Sequence, residues 1–239
     1  MNKLLCFDIW ADYAHFKKYY TTTSPLTFSI PPKTTIYGIV GAILGLDKSA
    51  YLNYFKTGEC KIGIQIKKPI KKTRINLNLI NTKTAIMMSR IKTRTQIKTE
   101  FLKDVEYRIF FYHKDNEIYN KLKEYIFEHK TTYSISLGLS ENLANFKYIA
   151  EYECKTILNN NEWVDILTAL KIGNNLTKGD IDFSEAGNEF FSDKVAIEMK
   201  SNREVTDYSQ IVYEKNGNSI KARPREYCQL ENGERCFLI

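Results

Sequence analysis

Among its 239 residues the chain has only three histidines, two tryptophans, five prolines and five cysteines. The few histidines limit acid–base chemistry by imidazole to His15, His113 and His129. Cys6, Cys60, Cys154, Cys228 and Cys236 are widely scattered, with no C-x-x-C pair to seed a zinc site or a redox motif. They read as reduced structural thiols of a cytoplasmic protein. No stretch approaches the roughly 20 apolar residues of a membrane helix, and Asp8 and Asp12 interrupt the apolar N-terminus before it reaches signal-peptide length. A soluble protein that stays in the cell is expected, with no membrane partner. No G-x-x-x-x-G-K-[ST] is present, and no His, Asp or Glu cluster has metal-ligand spacing. No cofactor, metal or small-molecule substrate is therefore expected. Internal repeats and low-complexity linkers are also missing.

What is there suits a folded, basic protein. Hydrophobic residues make up 43% and aromatics 13%, enough for a sizeable core. Lys and Arg number 35 against 28 for Asp and Glu, a formal charge of +7. That balance favours a polyanionic partner, although a Lys-heavy composition alone would give the same sign.

Residues 3–10 are short, apolar and partly aromatic, which predicts a buried first strand. Pro31-Pro32 forces an extended path into a helix over about 35–46, which Thr34 or Thr35 is placed to cap. Ile36, Ile39, Val40 and Ile43 form its core stripe, while Gly38, Gly41 and Gly45 share another face. Glycines in a helix are costly, so that backbone is expected to be approached closely, by tight packing or by a ligand. Alternation predicts strands at 61–68, 104–112 and about 147–154, with a helix at 117–128. Without the insertion between the second and third strands the order is β-α-β, β-α-β. The predicted fold class is α+β: a ferredoxin-like (RRM-like) domain over 1–155 and a β-rich C-terminal extension over 156–239. Within the extension the pattern predicts a helix near 162–172, a polar stretch at 173–194 and a hairpin turning at Asn216-Gly217.

The charge is concentrated between Cys60 and Thr99, where there is no acidic residue. Ordinary solvated surfaces mix both signs. Arg90, Lys92, Arg94, Gln96 and Lys98 share one parity, opposite Ile91, Thr93, Thr95 and Ile97. Lys72, Arg74, Asn76 and Asn78 repeat the pattern against Ile75, Leu77 and Leu79. In strands, each set of cations occupies one face. Two such strands, joined near 80–88, would form a basic ribbon inserted at about 70–100, able to follow successive phosphates while bases stack or splay. The plainer alternative is an exposed hairpin whose charges prevent edge-to-edge aggregation.

The N-terminal residues Phe7-Asp8-Ile9-Trp10-Ala11-Asp12-Tyr13-Ala14-His15-Phe16-Lys17-Lys18, Tyr20 to Phe28, and Pro31-Pro32-Lys33-Thr34-Thr35-Ile36-Tyr37-Gly38 through Gly45 carry a family likeness. They resemble the opening of the fifth CRISPR-associated protein family, RAMP-type subunits of type I Cascade, and are most similar to type I-B members. Residues 101–108 and 136–140 extend the likeness to about 147. The resemblance implies a ferredoxin-like domain with a protruding β-hairpin thumb that holds the repeat-derived 5′ handle of the CRISPR guide RNA. It also implies contacts with the backbone and large subunits of the complex. By the same analogy His15, Lys17, Lys18, Lys33, Thr34, Thr35 and Gly138 would face RNA, beside the ribbon residues Lys72, Arg74, Arg90, Lys92, Arg94 and Lys98. The helix start at Lys33-Thr34-Thr35 would offer free N–H groups and a positive dipole end to phosphate.

One branch of that family, type I-C, cuts precursor RNA without metal, using tyrosine, lysine and histidine side chains. The corresponding candidates here would be His15 with Tyr13 and Lys17, since such a reaction needs a group to activate the 2′-hydroxyl and a cation or acid for the leaving oxygen. Type I-B systems assign this step to a separate endonuclease, so the expectation is a non-catalytic subunit, with a metal-independent endoribonuclease as the alternative. Tyr37, Tyr107 and Phe111 are either base-stacking platforms or core.

Overall fold

The structure is a computed structural model and describes residues 3–56, 58–80, 84–90 and 94–239. Strand β1 (Lys3–Ala14) runs past both aspartates that bound the expected strand. Asp8 is carried within it because Arg108 lies directly opposite and clasps both carboxylate oxygens, at 2.8 and 3.0 Å. Two short strands, β2 (Phe16–Lys17) and β3 (Thr27–Phe28), pair with each other. Helix α1 (Lys33–Leu44) follows Pro31-Pro32 as the sequence predicts and ends at left-handed Gly45. Its N-cap is Pro32, with no side-chain cap, so Thr34 and Thr35 sit in the first turn instead of capping it. The close approach to its glycine face comes from Tyr51, whose side chain would meet a Cβ on Gly41 at 3.3–3.5 Å.

Strands β4 (Cys60–Ile66) and β5 (Lys71–Ile80) precede a short helix, α2 (Ala85–Ser89). The 20-residue strand β6 (Arg94–His113) leads to α3 (Asn116–Phe127) and β7 (Asn145–Leu158). The main sheet has the order β7-β1-β6-β4, every pair antiparallel. Helices α1 and α3 cover one face, where Ile36, Val40, Ile43, Leu122 and Ile126 pack on Leu5, Phe7, Ile9, Tyr107 and Ile109. The core thus follows the two helical stripes and the alternation of the strands. The would-be stacking rings Tyr37, Tyr107 and Phe111 are all inside it.

The C-terminal extension is all strand apart from one 3-10 turn: β8 (Val164–Ile166), β9 (Leu170–Lys171), β10 (Phe190–Met199), β11 (Val205–Glu214), β12 (Ile220–Ala222), β13 (Glu226–Leu230) and β14 (Arg235–Cys236). The helix expected near 162–172 is therefore replaced by β8 and β9. Val164 and Ile166 are buried around exposed Asp165 and pair with β12, while Thr168 exchanges two 2.8 Å hydrogen bonds with the backbone of Phe237. The long hairpin is β10–β11, which turns at 200–204, so the last part of the expected polar stretch 173–194 gives way to strand from Phe190. Asn216-Gly217 instead links β11 to β12, which pair with different neighbours. Buried Glu214 organises that link by accepting the backbone N–H groups of Glu189, Asn216 and Asn218. Strands β13 and β14 extend the main sheet beyond β7, and Val195, Ile197, Ile211 and Tyr213 join the helix-bearing core. All five cysteines are buried and none forms a disulfide. Among the described residues no helix is long and apolar enough to cross a membrane.

Candidate nucleic-acid interface

The acid-free segment forms a two-stranded ribbon. Strand β5 pairs with the outer half of β6 in continuous register, from Lys71 opposite Lys103 to Ile80 opposite Arg94. Directly opposed residues share a face in an antiparallel pair. Arg74 faces Glu100, Asn76 faces Lys98, Asn78 faces Gln96 and Ile80 faces Arg94, with Lys72 on the same side of β5. The two polar rows therefore come together, joined by a 3.4 Å contact from Gln96 Nε2 to Asn78 Oδ1. Ile75, Leu77 and Leu79 line the other face with Ile97. Every described residue of β5, and of β6 as far as Lys98, is exposed or half-buried, so the ribbon stands off the core.

Two of the expected ribbon cations fall elsewhere. Arg90 is the C-cap of α2, because Thr84 caps the N-terminus of that helix and Ala85-Ile86-Met87-Met88-Ser89 continue it. Lys92 lies outside the described residues.

At its base the ribbon joins the sheet through Asp104, whose φ is 53°. The irregularity shifts the parity of β6. Leu102, of the same parity as Arg94 and Lys98, enters the helix-bearing core together with Val105, three residues on. Glu100, the first acid after the basic block, ties the base together. Its carboxylate meets Lys72 Nζ at 3.2 Å and accepts the Thr27 N–H at 3.2 Å. Its carbonyl accepts Nδ1–H of His15 at 2.7 Å.

The N-terminal motif is divided by burial. His15 is 3% exposed, packs on Phe101 and donates its backbone N–H to the carbonyl of Leu137 at 3.0 Å. Burial lowers its pKa, against the upward pull of the Glu100 carbonyl. Tyr13 is half out, edge-on to Phe101, and Lys17 is exposed on β2. Lys18 turns inward to Asp193 on β10 at 2.5 Å, and Asp193 also accepts the hydroxyl of Tyr213 at 2.8 Å. Lys33 is 5% exposed, with its ammonium 5.7 Å from the centre of the Tyr37 ring and its pKa lowered by burial. The flexible lysine stem reaches into the protein from the first turn of α1 instead of facing solvent. Of the other histidines, His113 is buried, its Nε2–H held by the Tyr54 carbonyl at 2.7 Å, and His129 stacks on Phe146.

Thr34, Thr35 and Gly138 do come together. They line a groove of about 450 Å³ with Ser136, Gly38 and Arg203. Arg203 comes from the β10–β11 turn and was not foreseen, because an isolated Arg in an irregular tail carries no periodic signal. A further pocket of about 490 Å³ at the ribbon's base is lined by Lys18, Lys72, Phe191, Asp193 and Lys215. Three of these come from the extension, for which the sequence reading had assigned no site.

A model of the family described as CRISPR-associated protein (Cas_Cas5) matches residues 4–154, from β1 into β7. No curated protein matches the chain. A chain of a solved structure described as a CRISPR RNA-guided surveillance complex is similar over 92% of this chain and 91% of its own, with a TM-score of 0.52 and 12% identity. A CRISPR protein from Archaeoglobus fulgidus is similar over 98% of this chain and 97% of its own, with a TM-score of 0.55 and 13% identity. At such identities the likeness is one of fold, while the family match spans most of the sequence. This chain belongs to the Cas5 family of CRISPR-associated proteins.

Proposed function

We propose that this protein is a non-catalytic subunit of a type I CRISPR effector complex, of type I-B character, that holds the repeat-derived 5′ handle of the guide RNA in the cytoplasm. On this reading the core is ferredoxin-like, which the β7-β1-β6-β4 order of two β-α-β units supports. The β5–β6 ribbon is the thumb, and the neighbouring backbone and large subunits flank it. The observation that carries the proposal is the register of the ribbon: Arg74, Asn76 and Asn78 share a face with Lys98, Gln96 and Arg94. Cations and amides at strand spacing meet a chain of phosphates and leave the bases unpaired. The fold likeness to a chain of an RNA-guided surveillance complex agrees with this. So does the burial of His15, whose Nδ1–H is spent on a carbonyl and whose ring is shielded from a 2′-hydroxyl.

The test is retention of guide RNA by the purified complex after Arg74→Glu, Arg94→Glu and Lys98→Glu are combined. Loss of RNA with an unchanged circular dichroism spectrum is expected, and full retention would remove the ribbon from the function. The enzymatic alternative rests on Tyr13 and Lys17, which are partly or fully exposed on either side of His15. Incubation of the protein with repeat RNA in EDTA is expected to leave the RNA intact. Specific cleavage abolished by Tyr13→Phe or Lys17→Ala, neither of which lies in the core, would establish the nuclease instead.

A further inference from the structure

We infer that the pocket at the base of the ribbon receives one unstacked nucleobase of the bound RNA, with Phe191 as its stacking surface and Lys72 and Lys215 beside its phosphate. The inference rests on the RNA-binding reading and assigns to it a site built largely by the C-terminal extension.

Three features of the molecule point there. The first is position, because Lys72 belongs to the basic face of the ribbon and also lines the pocket. A single strand that follows Arg94, Lys98 and Arg74 toward the core arrives at Lys72. The second is chemistry. Phe191 is 47% exposed although it shares its face of β10 with buried Val195 and Ile197. Its ring lies nearly parallel to that of Tyr213, at 18°, with centroids 6.2 Å apart. An open aromatic face bordered by lysines is the pattern by which single-stranded nucleic acid is held, since every base has a π-face. The third is rigidity. The half-buried Lys18–Asp193 pair and the hydroxyl of Tyr213 fix the floor of the pocket, so the surface is formed before a base enters.

The cations nearest the rim are not locked in place. Lys215 pairs with Glu189 at 2.9 Å, but both side chains are at least a third exposed, and such pairs are weak enough to yield to phosphate. Lys72 is 36% exposed in its pair with Glu100 and can bridge a phosphate while keeping that partner. The pocket volume, about 490 Å³, is in the range of small-ligand sites. A side chain of a partner protein could also cover Phe191, but the two rim lysines and the adjoining basic face favour an anionic occupant.

The experiment uses the full chain and single-stranded repeat-derived RNAs that each carry 2-aminopurine at a different position. Quenching at one position by stacking is expected in the wild type. Phe191→Ala should remove that signal and weaken RNA binding about tenfold or more, while Phe191→Trp keeps both. Lys215→Gln, an exposed change that spares the fold, should lower the salt dependence of binding. RNA that binds with no quenched position, or binds Phe191→Ala as it binds the wild type, would overturn the pocket and leave the ribbon standing. Failure of the wild-type chain to bind any of these RNAs would overturn both readings.

Discussion

Gly138 lies against the carbonyl of His15 so closely that a Cβ at this position would overlap it. Its φ of 96° is also one that side-chain-bearing residues rarely adopt. Two residues linked in the sequence only by family likeness are thus a packed backbone pair, joined beside it by the His15 N–H to Leu137 carbonyl bond. Gly138→Ala meets both the strain and the collision, and should lose at least about 2 kcal/mol of stability. For a chain of this size that is a fall of about 4–8 °C in Tm. Gly173→Ala, where a Cβ meets nothing within 4 Å, is the control and should change Tm little. Equal melting of the two variants would show that the Gly138 contact is not constraining.

The ring of His15 sets a pH dependence. Burial depresses its pKa below the ordinary value of 6.5, so the folded protein binds a proton there less readily than the unfolded chain. A depressed folded pKa contributes stability that is complete above 6.5 and is lost as pH falls toward and through the folded value. Melting temperature should therefore drop on acidification below about pH 6.5. His15→Gln, which can still donate to the Glu100 carbonyl, should flatten that part of the profile. A variant profile parallel to the wild type between pH 4 and 7 would assign the acid sensitivity to other groups.

Lys18 and Asp193 join the N-terminal loop to β10 across 175 residues of sequence. Burial lowers the pKa of the Lys18 ammonium, and the Asp193 carboxylate more than compensates, so the net shift is upward. Removing one partner of this half-buried pair leaves the other charge partly unpaired, a cost of about 1–2 kcal/mol, below that of a fully buried pair. Asp193→Ala should cost this much in denaturant unfolding, and Lys18→Met a comparable amount, because it leaves the Asp193 carboxylate with only the Tyr213 hydroxyl; the double variant should cost less than the sum. An Asp193→Ala protein as stable as the wild type would mean that the pair is solvated in solution.

The parts legible in sequence were those where one local rule acted alone. Pro31-Pro32 marked the start of α1, and period-two alternation placed the ribbon's charges on one face before any pairing was known. The remainder depended on contacts between distant segments. Nothing in Lys103-Asp104-Val105 signals a left-handed residue, because the bend arises where one strand must serve both ribbon and sheet. Around Val164–Leu170 the apolar residues fit either period, and pairing with β12 and the Phe237 backbone decided for strand. Lys18 and Lys33 look like surface cations in sequence, yet each is drawn inside, by a carboxylate on β10 and by the apolar surroundings of Tyr37. Phe191 follows Phe190 with no sign of which ring stays exposed, and that depended on where β10 leaves the core.

The ribbon makes a quantitative claim about salt. Each cation that neutralises a phosphate of a single strand adds about 0.7 to the slope of log affinity against log salt concentration. Lys98 and Arg94 stand exposed on the basic face, opposite Asn76 and Ile80, with no carboxylate directly across the strand pair. Lys98→Gln and Arg94→Gln should therefore each reduce the slope by about 0.7 and weaken binding to all RNA sequences alike. Arg74 sits opposite Glu100, so it has a carboxylate across the strand pair that the other two cations lack. Arg74→Gln should lower the slope by less. Titrations of the three variants against one fluorescent RNA from 50 to 300 mM salt would order them. An Arg74 effect as large as that of Lys98 would mean that Glu100, held by Lys72 and the Thr27 N–H, does not offset the Arg74 charge.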